Sequence, residues 1–410
     1  MPITRRHFVG RSGLLAAAAV SFPQNGHSAD APMWRPGRKP RHIIHLVSDG
    51  MSMGTLTCAD YLSQITRRRG LSWLQLYQNP AAQSAWVNMR SLNSIVTDSA
   101  AAASSWGCGS RVMNGALNVL PDGRHLRTLY QVFGEAGWKR GLVTTTEITH
   151  ATPAGFASNQ ESRDEGEGVA AQYLVREIEV LLGGGQKFFD PAQRKDKRDL
   201  RADFRRMGYQ VVESRAELKG ARLDKPLLGL FASSHLPFTL DHRNEAKDRE
   251  KIPTLVEMTE AALARLERHS HFILQVEGGR VDHGCHGCDA AAAFHDQVMF
   301  DQALDVCLNF QKRVPDTLIV ITTDHGNGNP GLNGMGKNYG ESPKLFANLL
   351  QVKQSFGGIL KRLEKAACEK EGQEIIGDAT GYTAPLERVA LFLPFAEKKG
   401  KTLYETMNSA

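Results

Sequence analysis

Beyond residue 31 the chain holds no run of 18 apolar residues, so its sequence offers no candidate for a membrane-spanning helix there. Cysteine is scarce, at six residues: Cys58, Cys108, Cys285, Cys288, Cys307 and Cys368. Cys285 and Cys288 form a Cys-x-x-Cys, but no second such pair exists to complete a zinc ribbon. These thiols are expected to be structural or incidental, and their spacing does not settle any disulfide pairing. No internal repeat is present, and no low-complexity tract beyond short alanine runs, which removes repeat arrays from consideration. Strong charge of one sign is also missing. The formal charge is +6, and residues 1–31, with Arg5, Arg6, Arg11 and Asp30, carry +2 of it, leaving +4. That is too mild for a nucleic-acid partner, although a phosphate site needs positive charge only locally. The remaining composition, 41% hydrophobic and 23% charged, is that of an ordinary globular protein.

The first 31 residues carry Arg5-Arg6, then an apolar stretch from Gly13 to Phe22, then Ala29-Asp30-Ala31. Three regions in that order read as a twin-arginine secretion signal, against the alternative of a short N-terminal core helix. Export to a periplasmic or extracellular location is the expectation, with no stable membrane anchor.

Short apolar runs suggest strands at His42–Ser48, Gly141–Thr146, Phe272–Val276, Leu318–Thr322 and Val389–Leu393. Helical patterns lie between them: Ala100–Ser105, Thr128–Ala136, Gly168–Leu181, Thr254–His269 and Ala290–Phe310. The alternation predicts an α/β fold, a three-layer α/β/α sandwich around a large, mostly parallel sheet. In such sheets functional residues collect beyond the carboxyl ends of the strands. Asp49, Glu147, Glu277 and Asp324 each follow an apolar run directly. Residues 32–410 read as one domain. Residues 326–376 break the alternation, with a Gly/Asn/Pro-rich start and an amphipathic stretch from Ser342 to Lys370. They are expected to form an insertion over the active face.

Ser99 stands before an alanine-rich helical run, near a helix N-terminus where free N–H groups favour a phosphate. The alternative is that Asp98 or Ser99 is merely an N-cap. Glu277, Asp282 and His286 fall within ten residues just after a strand. Asp282 and His286, spaced i, i+4, would face one cation if the segment turns helical, and their oxygen and imidazole donors suit zinc. A salt-bridged surface loop remains the other reading. Asp324-His325 at a strand end is also metal-compatible, whereas Asp49-Gly50 is by itself a good turn. Four acid- or histidine-rich strand ends in one sheet would converge on one edge.

Five ordered motifs resemble those of the alkaline phosphatases: Asp49-Gly50-Met51, Val96–Ala102 (VTDSAAA), Thr146-Glu147 with His150, Thr152, Pro153 and Arg163, then Glu277/Asp282/His286, and Thr323–Gly326. The resemblance runs from about residue 41 to 395. It implies a phosphate monoesterase in which Ser99 attacks phosphorus and forms a phosphoserine. It further implies a zinc at Asp49, Asp324 and His325, a second zinc at Asp282 and His286, and a magnesium at Asp49, Thr152 and Glu277. Arg163 would grip two phosphate oxygens, with His150 and His283 near the phosphate. The implied substrates are small-molecule phosphate monoesters, and a homodimer is the implied assembly.

One departure stands out. The family supplies a further histidine to the second zinc near its C-terminus, and no histidine follows His325 in this sequence. Tyr382, in Thr380–Ala384, occupies the expected context. Three readings follow: a phenolate ligand, a weaker zinc held by two side chains and water, or a phosphate- or metal-binding relative with little turnover. A phosphodiesterase of the same superfamily is a further alternative. A sulfatase is disfavoured because Ser99-Ala-Ala-Ala-Ala lacks the Cys/Ser-x-Pro-x-Arg setting.

Overall fold

Residues His42–Ser48 form strand β1, as their apolar run predicts, in a computed structural model that describes residues 39–332 and 336–390. The expected leader (1–31) and residues 391–393 of the expected last strand lie outside the described residues. After β1 come α1 (Met53–Arg67), α2 (Ser72–Leu76), α3 (Ser99–Cys108) and α4 (Leu129–Glu135). The chain continues through β2 (Lys139–Glu147), α5 (Ala151–Ala157), α6 (Gly166–Val175), β3 (Val180–Gly184), α7 (Leu200–Arg206), β4 (Gln210–Val212), α8 (Arg215–Lys219) and β5 (Leu227–Leu230). Next are α9 (Thr239–Asn244), α10 (Ala246–Lys251), α11 (Leu255–Leu266), β6 (Phe272–Gly278), α12 (Arg280–His286), α13 (Ala290–Arg313) and β7 (Thr317–Thr322). Three later helices follow, α14 (Ser342–Ala347) and α15 (Phe356–Leu363) within the stretch 326–376 and α16 (Glu369–Thr380) running past it.

The seven strands form one sheet in the order β4-β5-β3-β2-β6-β1-β7, and every ladder is parallel. Alternate strand residues enter two separate cores, as the two-residue period of a strand requires. Ile44, Leu46, Val143, Leu274 and Val276 pack on one face among residues of α1, α11 and α13. Leu142, Leu181, Leu228 and Ile273 pack on the other, among residues of α4, α5 and α6. This is the expected three-layer α/β/α sandwich. No helix among the described residues is long and apolar enough to cross a membrane.

Parallel register brings the strand ends level. Ser48 pairs with Gly278, Val47 with Thr322, and Thr144 with Glu277. The loops after β1, β2, β6 and β7 therefore leave the sheet side by side. Gly50, at φ +63°, lets the loop after β1 pass close to Asp282; a Cβ there would lie 2.2 Å from Asp282 Oδ1.

The expected helix Gly168–Leu181 ends sooner. α6 stops at Val175, Glu177 takes a left-handed φ of 51°, and Val180–Gly184 becomes β3. The run Ile178 to Leu182 is apolar at every position but one, so the helical pattern ran on into a buried strand. Val389, expected to start a strand, instead lies in a helical turn over residues 386–390 that begins just after Pro385. The stretch Ser342–Lys370 is broken at Ser355, whose side chain caps α15. Asp241 accepts from the backbone N–H and hydroxyl of Ser355, and Asp289 accepts from the N–H of Phe356. These bonds fasten the start of α15 to α9 and to the start of α13.

Candidate active site

Ser99 is the first residue of α3, and Asp98 is its N-cap, accepting from the Ala101 N–H at 2.9 Å. Both readings of this segment hold together: Asp98 is the cap, and Ser99 is a buried hydroxyl at the helix mouth. Ser99 Oγ lies 3.4 Å from Asp49 Oδ1 and 3.2 Å from His325 Nε2. α3 holds this position by packing tightly on α5. A Cβ added at Gly107 would lie 1.8 Å from the Gly155 carbonyl oxygen.

Asp49, Asp324 and His325 offer ligand atoms within 4.8 Å of one another. His325 Nε2 stands 3.2 Å from Asp324 Oδ2 and 3.8 Å from Asp49 Oδ1. Asp324 Oδ1 accepts from the N–H groups of Gly50 and His325, which fixes the carboxylate. Asp49, Glu277 and His150 form a second such group. Glu277 Oε2 accepts from the hydroxyls of Thr144 and Thr146. Thr152 is buried at the start of α5.

The other donor atoms of these residues are conspicuous. Asp49 Oδ2, Asp324 Oδ2, Glu277 Oε1, Thr152 Oγ1 and His150 Nδ1 are all buried without a hydrogen-bond partner among the described residues. Buried polar atoms are normally paired, so such a cluster needs an explanation. Burial, and then the neighbouring Asp324, Asp282 and Glu277, push the Asp49 carboxyl well above its ordinary range. Burial likewise raises Glu277 to about 7. Carboxylates crowded in this way are stabilised by cations, and the unpartnered oxygens suit hard or borderline metals. The residues of these two groups therefore fit bound metal cations.

Asp282 and His286, one turn apart on α12, are 3.4 Å apart between Oδ2 and Nε2. Asn327 donates to Asp282 Oδ1 at 2.8 Å. The Asp282 side chain is 8% exposed and that of His286 66%, so this half of the site opens to solvent. Tyr382 follows the left-handed Gly381 at the end of α16; its N–H donates to Thr380 Oγ1 and its residue is 63% exposed. Its phenol makes no hydrogen bond to Asp282 or His286.

Arg163 points one guanidinium nitrogen at Asp98 Oδ2 and another at His150 Nε2, each at 3.2 Å. Around His150 stand His283 and His235, both with ring centroids 5.6 Å away. Burial, followed by nearby arginine charge, holds the His150 and His283 imidazoles well below the usual histidine range. Apart from Tyr382, the site residues expected from sequence thus gather beyond the carboxyl ends of β1, β2, β6 and β7. Sequence reading gave Asp98 only the role of a cap and missed Arg280, Asn327 and His235. His235 follows β5, whose four residues gave no strand expectation; the apolar run Pro226–Phe231 was the available signal.

A model of the family described as alkaline phosphatase matches residues 40–354. Alkaline phosphatase 3 of Bacillus subtilis is 34% identical over 304 residues, covering 72% of this chain and 63% of the relative. The repressible alkaline phosphatase of Saccharomyces cerevisiae is 32% identical over 345 residues, 77% of this chain and 59% of the relative. The chain thus spans about three fifths of the length of these two curated relatives. Among solved structures, that of Thermus thermophilus alkaline phosphatase superposes with a TM-score of 0.82 at 36% identity, covering 90% of this chain and 78% of the other.

Proposed function

The chain belongs to the alkaline phosphatase family, and on that premise we propose that it hydrolyses phosphate monoesters through a phosphoserine at Ser99. One observation carries the reading. The Ser99 hydroxyl lies within 3.4 Å of both Asp49 and His325, whose neighbourhood holds buried carboxylate oxygens that make no hydrogen bond among the described residues.

Asp49, Asp324 and His325 would hold one zinc, Asp282 and His286 a second, and Asp49, Thr152 and Glu277 a magnesium. Bound there, the metals would ease ionisation of the serine and neutralise charge on the attacking and leaving oxygens. The protein's own groups do the rest. Arg163, braced by Asp98, presents a planar fork to two phosphate oxygens. The N-terminus of α3 turns free N–H groups towards the same anion. Ser99 Oγ displaces the alcohol from phosphorus, and water then releases inorganic phosphate and restores the hydroxyl. His150 and His283 border the phosphate. Export by the 1–31 leader and a homodimeric assembly belong to the same reading.

Hydrolysis of a chromogenic phosphate monoester at alkaline pH, titrated with zinc and magnesium, tests it. Wild type should turn over and Ser99→Ala should lose at least about 10³-fold, with no phosphoenzyme on acid quench. Wild type inert at saturating metal sinks the phosphatase reading. A second reading, a weakly active or purely binding relative, is favoured by the open Asp282/His286 half. The exposed Tyr382 argues against a phenolate ligand, so Tyr382→Ala should leave zinc affinity within twofold; a larger loss would restore that role.

A further inference from the structure

Three imidazoles stand beside the site, and one nitrogen of each faces a group that can only donate. Arg280 Nη1 lies 2.7 Å from His283 Nδ1. The Glu147 backbone N–H donates to His235 Nδ1 at 3.2 Å. Arg163 Nη2 lies 3.2 Å from His150 Nε2. Neither a guanidinium nor an amide N–H has an acceptor atom. Each facing nitrogen must therefore be the ring's acceptor, and the ring proton must sit on the other nitrogen. For His283 and His235 that is Nε2, and their centroids are 4.5 Å apart. An imidazolium at His283 would set N–H against N–H.

Arg280 is held firmly for this task. It opens α12, three residues before His283, so the two share a helix face. Its backbone N–H donates to Thr145 Oγ1 at 3.1 Å, and its guanidinium carbon sits 3.7 Å over the Phe238 ring. Stacking fixes the plane of the fork and so the line along which Nη1 points. The Glu147 amide does the same for His235 from the end of β2.

We propose that Arg280 is a positioning residue: by donating into Nδ1 of His283 it keeps the ring proton on Nε2, so that His283 meets a phosphate oxygen as a hydrogen-bond donor. His235, locked by the Glu147 amide, presents a second donor beside it. The identity of the ligand rests on the phosphatase reading; the tautomer does not.

Long-range proton–nitrogen correlation spectra of the full-length protein, with and without zinc and magnesium, read the tautomer directly. Wild type should show a protonated Nε2 and a bare Nδ1 at His283. Arg280→Met keeps an apolar stem over Phe238 and should give a tautomer mixture. Calorimetry with inorganic phosphate should then show affinity falling roughly five- to tenfold, with kcat changed less, and Arg280→Lys should recover part of the loss. A proton on Nδ1 in wild type, or an unchanged tautomer and phosphate affinity in Arg280→Met, overturns the proposal. Correct tautomers and phosphate binding in a protein that turns over no monoester would sink the phosphatase reading and leave the lock standing.

Discussion

Arg163 Nη1 lies 3.2 Å from Oδ2 of Asp98, whose other carboxylate oxygen caps the helix that begins with Ser99. The same Oδ2 also accepts from the Gly115 N–H at 2.9 Å. One side chain thus sets the helix mouth, the neighbouring loop and the aim of Arg163, the arginine proposed to grip phosphate.

Asp98→Ala removes all three ties. The lost cap should cost about 0.5–2 kcal/mol in urea unfolding. A freed Arg163 should weaken binding of inorganic phosphate roughly tenfold, read as a higher inhibition constant. The predicted loss of stability with phosphate binding intact would show that the carboxylate serves the helix alone.

Zinc should raise the melting temperature of the metal-stripped protein. At about 100 times the dissociation constant the gain is about 2.7 kcal/mol. Asp324→Asn removes a charge from the first zinc group and should blunt the gain. A zinc-independent melt in wild type would contradict the assignment of the unpartnered carboxylate oxygens to metal.

Asp296 offers a pH test away from the metal ligands. It is buried on α13, accepts from the Thr239 N–H at 3.0 Å, and burial lifts its pKa from 3.8 to about 7. The folded state therefore holds this proton more tightly than the unfolded chain. Its stabilising contribution is complete below pH 3.8 and is lost as pH rises through about 7. Asp296→Asn should flatten this slope and, at pH 8, exceed wild type by up to about 4 kcal/mol. Urea midpoints of both proteins at pH 5 and pH 8, metal-loaded, decide it; equal differences at the two pH values would refute the shift.

Gly107→Ala should destabilise the protein by about 1–3 kcal/mol, because the new methyl group meets backbone, which cannot rotate away. Turnover should fall with it, since α3 carries Ser99. Circular-dichroism melts beside the activity assay check this. A variant as stable as wild type would show that α3 and α5 can part without harm.

Long apolar strands with a polar residue at their end were readable. His42–Ser48 and Leu318–Thr322 announce β1 and β7, and Asp49 and Asp324 follow them at the site. Short strands were not. β4 has three residues and β5 four, too few for a period to show, and β3 joins an apolar stretch that continues a helical pattern. His235 went unseen because β5 positions it. Asp98 was seen, but only as a cap, because its contact with Arg163 spans 65 residues and no local pattern encodes that distance. Arg280 was passed over for the same kind of reason: its meaning lies in Phe238 and His283, brought together by the packing of a loop on α12.

The bond from the Gly50 N–H to Asp324 Oδ1 joins residues 274 positions apart. Contacts of such separation form late, after long loops have closed. The Ser99 segment therefore lacks Asp324 and His325 until β7 has docked beside β1. On the proposed function, a growing chain would remain chemically silent through most of its synthesis and acquire reactivity only when β7 is seated. Recovery of turnover during refolding should accordingly lag behind the helical signal, reporting the closing event of assembly and not its beginning.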